Sequence, residues 1–104
     1  MREIKFRVFG SEYMSNPFTL LDLQEGKIQF ASSAALIQFT GKSDLNDKEI
    51  YEGDVNQDKG VCFWNNDDCS FCWKYPTGDV YQFDDEPKWC AVIGNIYENP
   101  DLLK

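Results

Sequence analysis

The sequence predicts a mainly β fold, a small all-β meander or barrel, and three features predict it. Near the N-terminus, "REIKFRVF" alternates apolar and charged residues with the period of two that a half-buried strand requires. After Asp54, short β-like runs alternate with turn-forming stretches such as "NNDD" and "PTGD". A chain of 104 residues, 42% hydrophobic and 15% aromatic, can also bury one modest core.

The first forty residues contain several candidate strands. Ile4, Phe6 and Val8 share one face of "REIKFRVF", with Lys5 and Arg7 on the other. "FTLLDL" is compatible with a strand or a short helix, "KIQF" alternates again after a glycine-centred turn, and "ALIQFTG" ends as a strand. Residues 1–40 therefore predict a β-rich N-terminal segment.

The remaining residues, 41–104, predict the barrel and a C-terminal tail. Four runs follow "KEIYEGDV": "GVCFW", "CSFCWKY", "VYQF" and "KWCAVIGNIY", each bounded by turn signals. Several of these runs are apolar on both faces, which indicates strands that lie between the barrel interior and a second layer. The tail "ENPDLLK" has a proline turn followed by two leucines, and we expect it to dock on the body.

The net charge of −8 is unevenly distributed along the chain. Residues 1–35 are neutral overall, whereas residues 36–104 carry six lysines against fourteen carboxylates. An acidic surface repels phosphate backbones, so we expect no direct binding to nucleic acid. A basic protein partner, a divalent cation or solubility alone would each account for the charge.

The sequence also predicts an intracellular protein. The N-terminus lacks the continuous apolar segment of a secretory signal. The longest uncharged run, "IQFASSAALIQFTG", is too short to span a bilayer. In a reducing compartment, four cysteines are expected to remain free thiols.

The commonest catalytic patterns are missing. The chain has no histidine, which excludes His-dependent triads and most catalytic zinc sites, and it has no glycine-rich phosphate-binding loop. Tested as a calcium-binding loop, the stretch from Asp44 places Asn46 at the third ligand position. The pattern then fails at Lys48, Glu49 and Val55. We therefore interpret "DLND" as a turn.

Cys69 and Cys72 form a Cys-x-x-Cys pair, which Cys62 and Cys90 could complete as a four-thiolate zinc site. A strand over residues 69–75 would send Cys72 to the opposite face from Cys69, and no glycine follows the pair to form a tight turn. We favour small buried hydrophobes as the identity of these thiols, and we predict neither a metal nor a cofactor.

Eight aromatic residues between positions 63 and 89 exceed what so small a barrel can bury. Exposed Trp and Tyr side chains are favoured binding anchors, and acidic turns lie beside them in the sequence. The predicted protein-binding surface combines four aromatic residues with four acidic residues at its rim: Trp64, Trp73, Tyr75, Tyr81, Asp67, Asp68, Asp84 and Asp85. The acidic pairs alternatively suit a divalent cation.

Three blocks, "MREIKFRVF", "QFTGKSDLNDKEIYEGDV" and "VIGNIYENPDLL", resemble in order and spacing the YopX family of phage and prophage proteins, whose function is uncharacterised. The resemblance implies an SH3-like β-barrel that starts at "EGDV", and a phage origin. It implies no reaction, cofactor or catalytic residue. We expect Tyr51, Gly53 and Asp54 to be structural, with Tyr51 at a seam and Gly53 permitting a bend.

We expect a phage-encoded binding module, not an enzyme, that engages a host or phage protein in the bacterial cytoplasm. One alternative is an acidic inhibitor of a host antiphage defence system, acting as a nucleic-acid mimic or by blocking a signal. Another is a divalent-cation-dependent enzyme or small-ligand binder that uses the acidic turns. The N-terminal segment packs on the barrel or on a partner subunit, and a homo-oligomer is compatible with its open strand edges.

Overall fold

The structure, a computed structural model, describes residues 4–10, 13–26, 34–83 and 89–103. The chain forms ten strands, one short α-helix and one 3-10 helix within these ranges. The strands are β1 (Lys5–Gly10), β2 (Tyr13–Met14), β3 (Phe18–Thr19), β4 (Ala35–Ser43), β5 (Glu49–Tyr51), β6 (Asp54–Asn56), β7 (Val61–Asn65), β8 (Ser70–Lys74), β9 (Val80–Gln82) and β10 (Val92–Asn95). Helix α1 spans Leu20–Gln24, and the 3-10 helix spans Pro100–Leu103. The mainly β prediction is confirmed.

The first sheet is antiparallel and has the strand order β2-β1-β4-β5, with β3 also paired to β1. Strand β1 pairs with β4 from Phe6 opposite Gln38 to Phe9 opposite Ala35. Val8 is buried in this sheet, whereas Ile4 precedes β1 and is exposed, so the predicted apolar face is buried only in part.

The stretch "FTLLDL" contains both of the predicted alternatives, a strand and a short helix. Strand β3 ends at Thr19, and α1 begins immediately after it. Thr19 Oγ1 accepts a hydrogen bond from the N–H of Asp22, and Asp22 Oδ2 accepts one from the N–H of Thr19. This reciprocal capping box starts the helix, because it satisfies two backbone donors that the first turn leaves open. The predicted "KIQF" strand lies outside the described residues.

The second sheet is an antiparallel meander, β6-β7-β8-β9, with β10 paired to β6. Strands β7 and β8 form a hairpin that runs from Val61 opposite Lys74 to Asn65 opposite Ser70. The sheet curls as a half barrel. The last strand returns beside the first strand of the meander, so residues far apart in the sequence meet at the β6–β10 edge.

Strand β5 joins two apolar clusters. Ile50 packs with Cys62, Phe71 and Trp73 of the second sheet and with Cys90, which precedes β10. Tyr51 packs with Ile37 and Phe39 of the first sheet. Because successive side chains of a strand point in opposite directions, two adjacent residues serve both clusters. Tyr97, which follows β10, also packs on the Tyr51 cluster.

The predicted division at residue 40 stays a prediction. Strand β4 runs through it from Ala35 to Ser43, and β5 belongs to the N-terminal sheet. The segment from Thr40 to Asp54 therefore passes from one sheet to the other.

Candidate functional site

The turn that follows β4 is organised by the buried carboxylate of Asp44, a residue with no exposed surface. Its Oδ1 accepts hydrogen bonds from the N–H groups of Asn46 and Lys48 at 2.8 and 2.9 Å, and its Oδ2 accepts one from the N–H of Val92 at 2.8 Å. Burial works to raise the pKa of Asp44, but these three backbone N–H groups hold it below its ordinary value. The stretch "DLND", which partly resembles a calcium-binding loop, is thus a turn stabilised by Asp44 and hydrogen-bonded to β10 through Val92.

The second buried carboxylate, Asp54, lies in a different environment. Its Oδ2 accepts a hydrogen bond from the N–H of Tyr51 at 2.8 Å, and its Oδ1 lies 3.4 Å from Nη2 of Arg7. Burial raises the pKa of Asp54 to about 6, because the hydrogen bond from Tyr51 and the ion pair with Arg7 do not compensate for lost hydration. The Arg7 guanidinium also lies 3.9 Å from the ring centroid of Tyr51.

Gly53 lies between Tyr51 and Asp54 in the sequence and has a φ of 86°. Residues with a side chain adopt this left-handed conformation only at a cost in free energy. A Cβ atom at Gly53 would lie 2.6 Å from Cε2 of Tyr97. The N–H of Gly53 donates to the carbonyl of Cys62, and the carbonyl of Gly53 accepts from the N–H of Ile96. Tyr51, Gly53 and Asp54 therefore form a tightly packed corner between the two sheets.

The four cysteines are spread over different environments. Cys62, Cys72 and Cys90 are buried, whereas Cys69 is exposed and lies in the β7–β8 turn. Burial raises the pKa of the Cys62 thiol and raises that of Cys90 to about 11. Across the described part of the chain, no three His, Cys, Asp or Glu side chains are grouped so that they could hold a metal ion.

The predicted interface residues divide between the core and two ends of the second sheet. Trp73 has no exposed surface and stacks on Phe83 with the ring centroids 4.8 Å apart, so its expected place on the surface is wrong. The reason is that β8 is covered on both faces: Phe71, Cys72 and Trp73 are all buried. Asp84 and Asp85 lie outside the described residues.

One end of the sheet carries the β7–β8 turn. Asp67 and Asp68 are exposed there, and Trp64 is 41% exposed with its ring edge against Phe71. Asn65 fixes the turn, because its Oδ1 accepts from the N–H of Asp67 and its Nδ2 donates to Asp68 Oδ2. These acidic side chains lie on a tight, solvated turn.

The opposite end carries a groove of about 520 Å³, which we call the aromatic–acidic groove. Strand β7 has five residues, so the two ends are roughly 13 Å apart along the hairpin. The described residues that line the groove combine three aromatic and two acidic side chains with two uncharged polar ones: Tyr75, Tyr81, Trp89, Asp58, Asp79, Thr77 and Gln82. Of the predicted surface residues that the structure describes, Tyr75 and Tyr81 lie here and the others do not.

The β6–β7 turn holds one side of the groove in place. Asn56 is buried, and its Oδ1 accepts from the N–H groups of Asp58 and Gly60, which fixes the β6–β7 turn. Asn56 Nδ2 donates to the hydroxyl oxygen of Tyr75 at 3.2 Å. A Cβ at Gly60 would lie 2.7 Å from the Tyr75 ring, so the glycine allows this ring to lie against the turn.

The other side of the groove is formed by β9 and by the residues before β10. Tyr81 is 58% exposed and meets Tyr75 edge-to-face at 5.8 Å. Trp89 is 46% exposed, and Gln57 joins its segment to the β6–β7 turn. Gln57 Nε2 donates to the carbonyl of Trp89, and Gln57 Oε1 accepts from the N–H of Ala91. The groove is therefore assembled from elements that span more than thirty residues of sequence.

Sequence reasoning missed Asp58, Asp79 and Trp89 as groove residues. One signal could have found two of them: Asp58 and Asp79 occupy turns at the same end of neighbouring hairpins in a meander. Trp89 joins them through the hydrogen bonds of Gln57 and the pairing of β10 with β6, which its local sequence does not reveal.

No helix within the described ranges is long and apolar enough to cross a membrane. A search of curated proteins found no match for this chain. The family model described as YopX protein matches residues 12–104, which confirms the resemblance seen in the sequence. The chain belongs to the YopX family.

Proposed function

We propose that this chain is a non-enzymatic, phage-encoded binding module that engages a host or phage protein through the aromatic–acidic groove. The observation that carries the proposal is the groove itself, where exposed Tyr81 and Trp89 lie beside Asp58 and Asp79. Exposed tyrosine and tryptophan are favoured anchors at protein interfaces, because they offer a large contact area with few rotatable bonds.

The architecture supports the same proposal. We propose that residues 41–104 form an SH3-like barrel with a C-terminal tail, since the order β10-β6-β7-β8-β9 places the last strand beside the first strand of a four-stranded meander. A groove between the turns of such a meander rests on hydrogen-bonded elements, and a preformed site loses little entropy on binding. Membership of the YopX family supports a phage protein, which would act in the cytoplasm of the bacterial host.

Site-specific photocrosslinking tests the proposal. A photoreactive phenylalanine analogue replaces Tyr81 in the groove or, as the matched control, Tyr13 of β2, which is 68% exposed in the other sheet. We expect irradiation of bacterial host cells to yield a discrete protein adduct from position 81 and none from position 13. Equal adducts from both positions, or none from position 81 during phage infection and in uninfected cells, would contradict the proposed function.

A further inference from the structure

Resting on the proposed function, we propose that the aromatic–acidic groove binds an arginine side chain carried by an extended segment of the partner protein. Three properties of the groove point to an arginine: the negative charge of the groove, the exposure of its aromatic rings and the volume of the groove.

The charge of the groove selects a cation. Its seven described lining residues include two carboxylates, Asp58 and Asp79, and no lysine or arginine. Thr77 Oγ1 donates to Asp79 Oδ2 at 2.8 Å, which orients that carboxylate at the rim. The net charge of −8 adds a long-range attraction for basic segments and repels acidic ones.

The rings of the groove favour arginine over lysine. Cations bind over the faces of Trp and Tyr, and about half of each of Trp89 and Tyr81 is exposed. The planar guanidinium stacks on an aromatic face and can pair with a carboxylate through two N–H groups, whereas the lysine ammonium is a compact, strongly hydrated charge. A groove that offers both rings and carboxylates therefore matches the guanidinium better.

The size of the groove indicates a polypeptide segment. A volume of about 520 Å³ exceeds that of a single guanidinium and lies within the usual range of ligand sites. Gln82 and Thr77 add polar groups that can bond a peptide backbone on either side of the arginine. A free small cation would leave most of this lining uncovered.

The test is an NMR titration of the isotope-labelled full chain with short capped peptides. One peptide has a central arginine between alanine and proline residues, and the others replace it with lysine, with glutamate or with citrulline, the neutral shape analogue of arginine. We expect saturable shifts at Tyr81 and Trp89, and dissociation constants about 5–30 times higher for citrulline than for arginine. Lysine should bind less tightly than arginine, and glutamate should not bind.

Matched substitutions locate the effect. Asp58→Asn and Asp79→Asn should each weaken arginine binding about threefold to tenfold, while Asp67→Asn, the same charge change at the other end of the hairpin, should leave it unchanged. Likewise Trp89→Leu should weaken binding and Trp64→Leu should not, although the two tryptophans are similarly exposed.

Equal binding of the arginine and citrulline peptides, loss of binding in Asp67→Asn as large as in Asp79→Asn, or no saturable shift with any peptide would overturn the arginine inference. The photocrosslinking experiment gives its result independently of these peptides. An adduct from position 81 together with negative peptide titrations would support the proposed function and would reject only the proposal that the groove binds arginine.

Discussion

The two buried carboxylates, Asp44 and Asp54, lie ten residues apart in the same segment and behave oppositely. Three backbone N–H groups surround Asp44, and its pKa lies below the ordinary value. Asp54 has one backbone N–H group and an arginine at 3.4 Å, and its pKa rises to about 6. Burial works to raise the pKa of both carboxyls, and the comparison teaches that backbone donors can outweigh it: three N–H groups do so at Asp44, whereas the Tyr51 N–H and Arg7 do not at Asp54.

The same difference gives the two residues different structural roles. Asp44 closes its own turn and fastens that turn to β10 through Val92. Asp54 begins β6 and joins Tyr51 and Arg7, so it connects the second sheet to the first. The three hydrogen bonds of Asp44 compensate for its burial, and we call this arrangement the Asp44 clamp. The contacts of Asp54 compensate for its burial only in part.

The largest expected effect comes from removing the clamp. Asp44→Ala removes the charged acceptor of three part-buried backbone hydrogen bonds, each worth about 1.5–3 kcal/mol, so we expect a loss of roughly 4–5 kcal/mol in the free energy of unfolding. Asp44→Asn keeps one acceptor oxygen and should lose about half as much. Urea unfolding followed by circular dichroism measures both, and equal stability of wild type and Asp44→Ala would refute the clamp.

The next effect concerns the glycine that shapes the Asp54 corner. Gly53→Ala combines a left-handed backbone with a Cβ placed 2.6 Å from Tyr97, for an expected loss of about 3–4 kcal/mol. Gly78→Ala is the matched control, because Gly78 has φ of 94° and no atom within 4 Å of the added Cβ. It should lose only the backbone contribution, about 1–2 kcal/mol. Similar losses in the two variants would show that Tyr97 does not restrict the corner.

The pH dependence of stability sharpens the comparison between the two acids. Because the folded pKa of Asp54, about 6, exceeds the ordinary 3.8, the folded state binds this proton more tightly than the unfolded state. The contribution of Asp54 is fully present below pH 3.8 and is lost as the pH rises through about 6, an effect of roughly 2–3 kcal/mol. The contribution of Asp44 has the opposite sign: it is present above pH 3.8 and lost as the pH falls below that value.

Chemical unfolding at a series of pH values from 4 to 8 tests this difference. We expect Asp54→Asn to lose the decrease in stability that the wild type shows between pH 4 and 7, whereas Asp44→Asn should retain it. A wild-type profile that matches Asp54→Asn throughout this window would mean that Asp54 ionises normally in the folded protein.

The smallest expected change in the free energy of unfolding comes from substitutions in the aromatic–acidic groove, in contrast to those at Asp44 and at the Asp54 corner. Asp58→Asn and Asp79→Asn replace exposed carboxylates, so each should change the free energy of unfolding by less than about 0.5 kcal/mol. Thermal unfolding measures this directly. A large loss of stability would assign these residues to the fold and would make the peptide titrations harder to attribute to binding.

Much of the fold could be predicted from the sequence. The alternation in "REIKFRVF" and the spacing of "GVCFW" and "CSFCWKY" correspond to β1 and to the β7–β8 hairpin, because a strand that buries one or both faces must show its pattern locally. The YopX motifs identified the family, since long specific blocks carry more information than composition. The turn at "DLND" was predicted because short polar side chains bond nearby backbone groups.

The candidate site was less predictable, since it depends on which distant elements meet. Apolar residues on both faces of a run indicate a strand covered on both sides, as β8 is, but the pattern does not show which of the eight aromatic residues stay exposed, and the assignment of Trp73 to the surface is therefore wrong. Trp89 joins Tyr81 only when β10 returns to β6.

The sequence by itself determined the β class, the family, the acidic charge and the local turns, because each follows from residues that are close together in the chain. The tertiary structure alone decided that Ile50 and Tyr51 enter different clusters, that Asp44 and Asp54 have opposite pKa shifts, and that three aromatic and two acidic side chains form a groove. The physical reason is that burial and hydrogen-bond donors come from distant strands such as β1 and β10, and no local pattern records which strand will supply them.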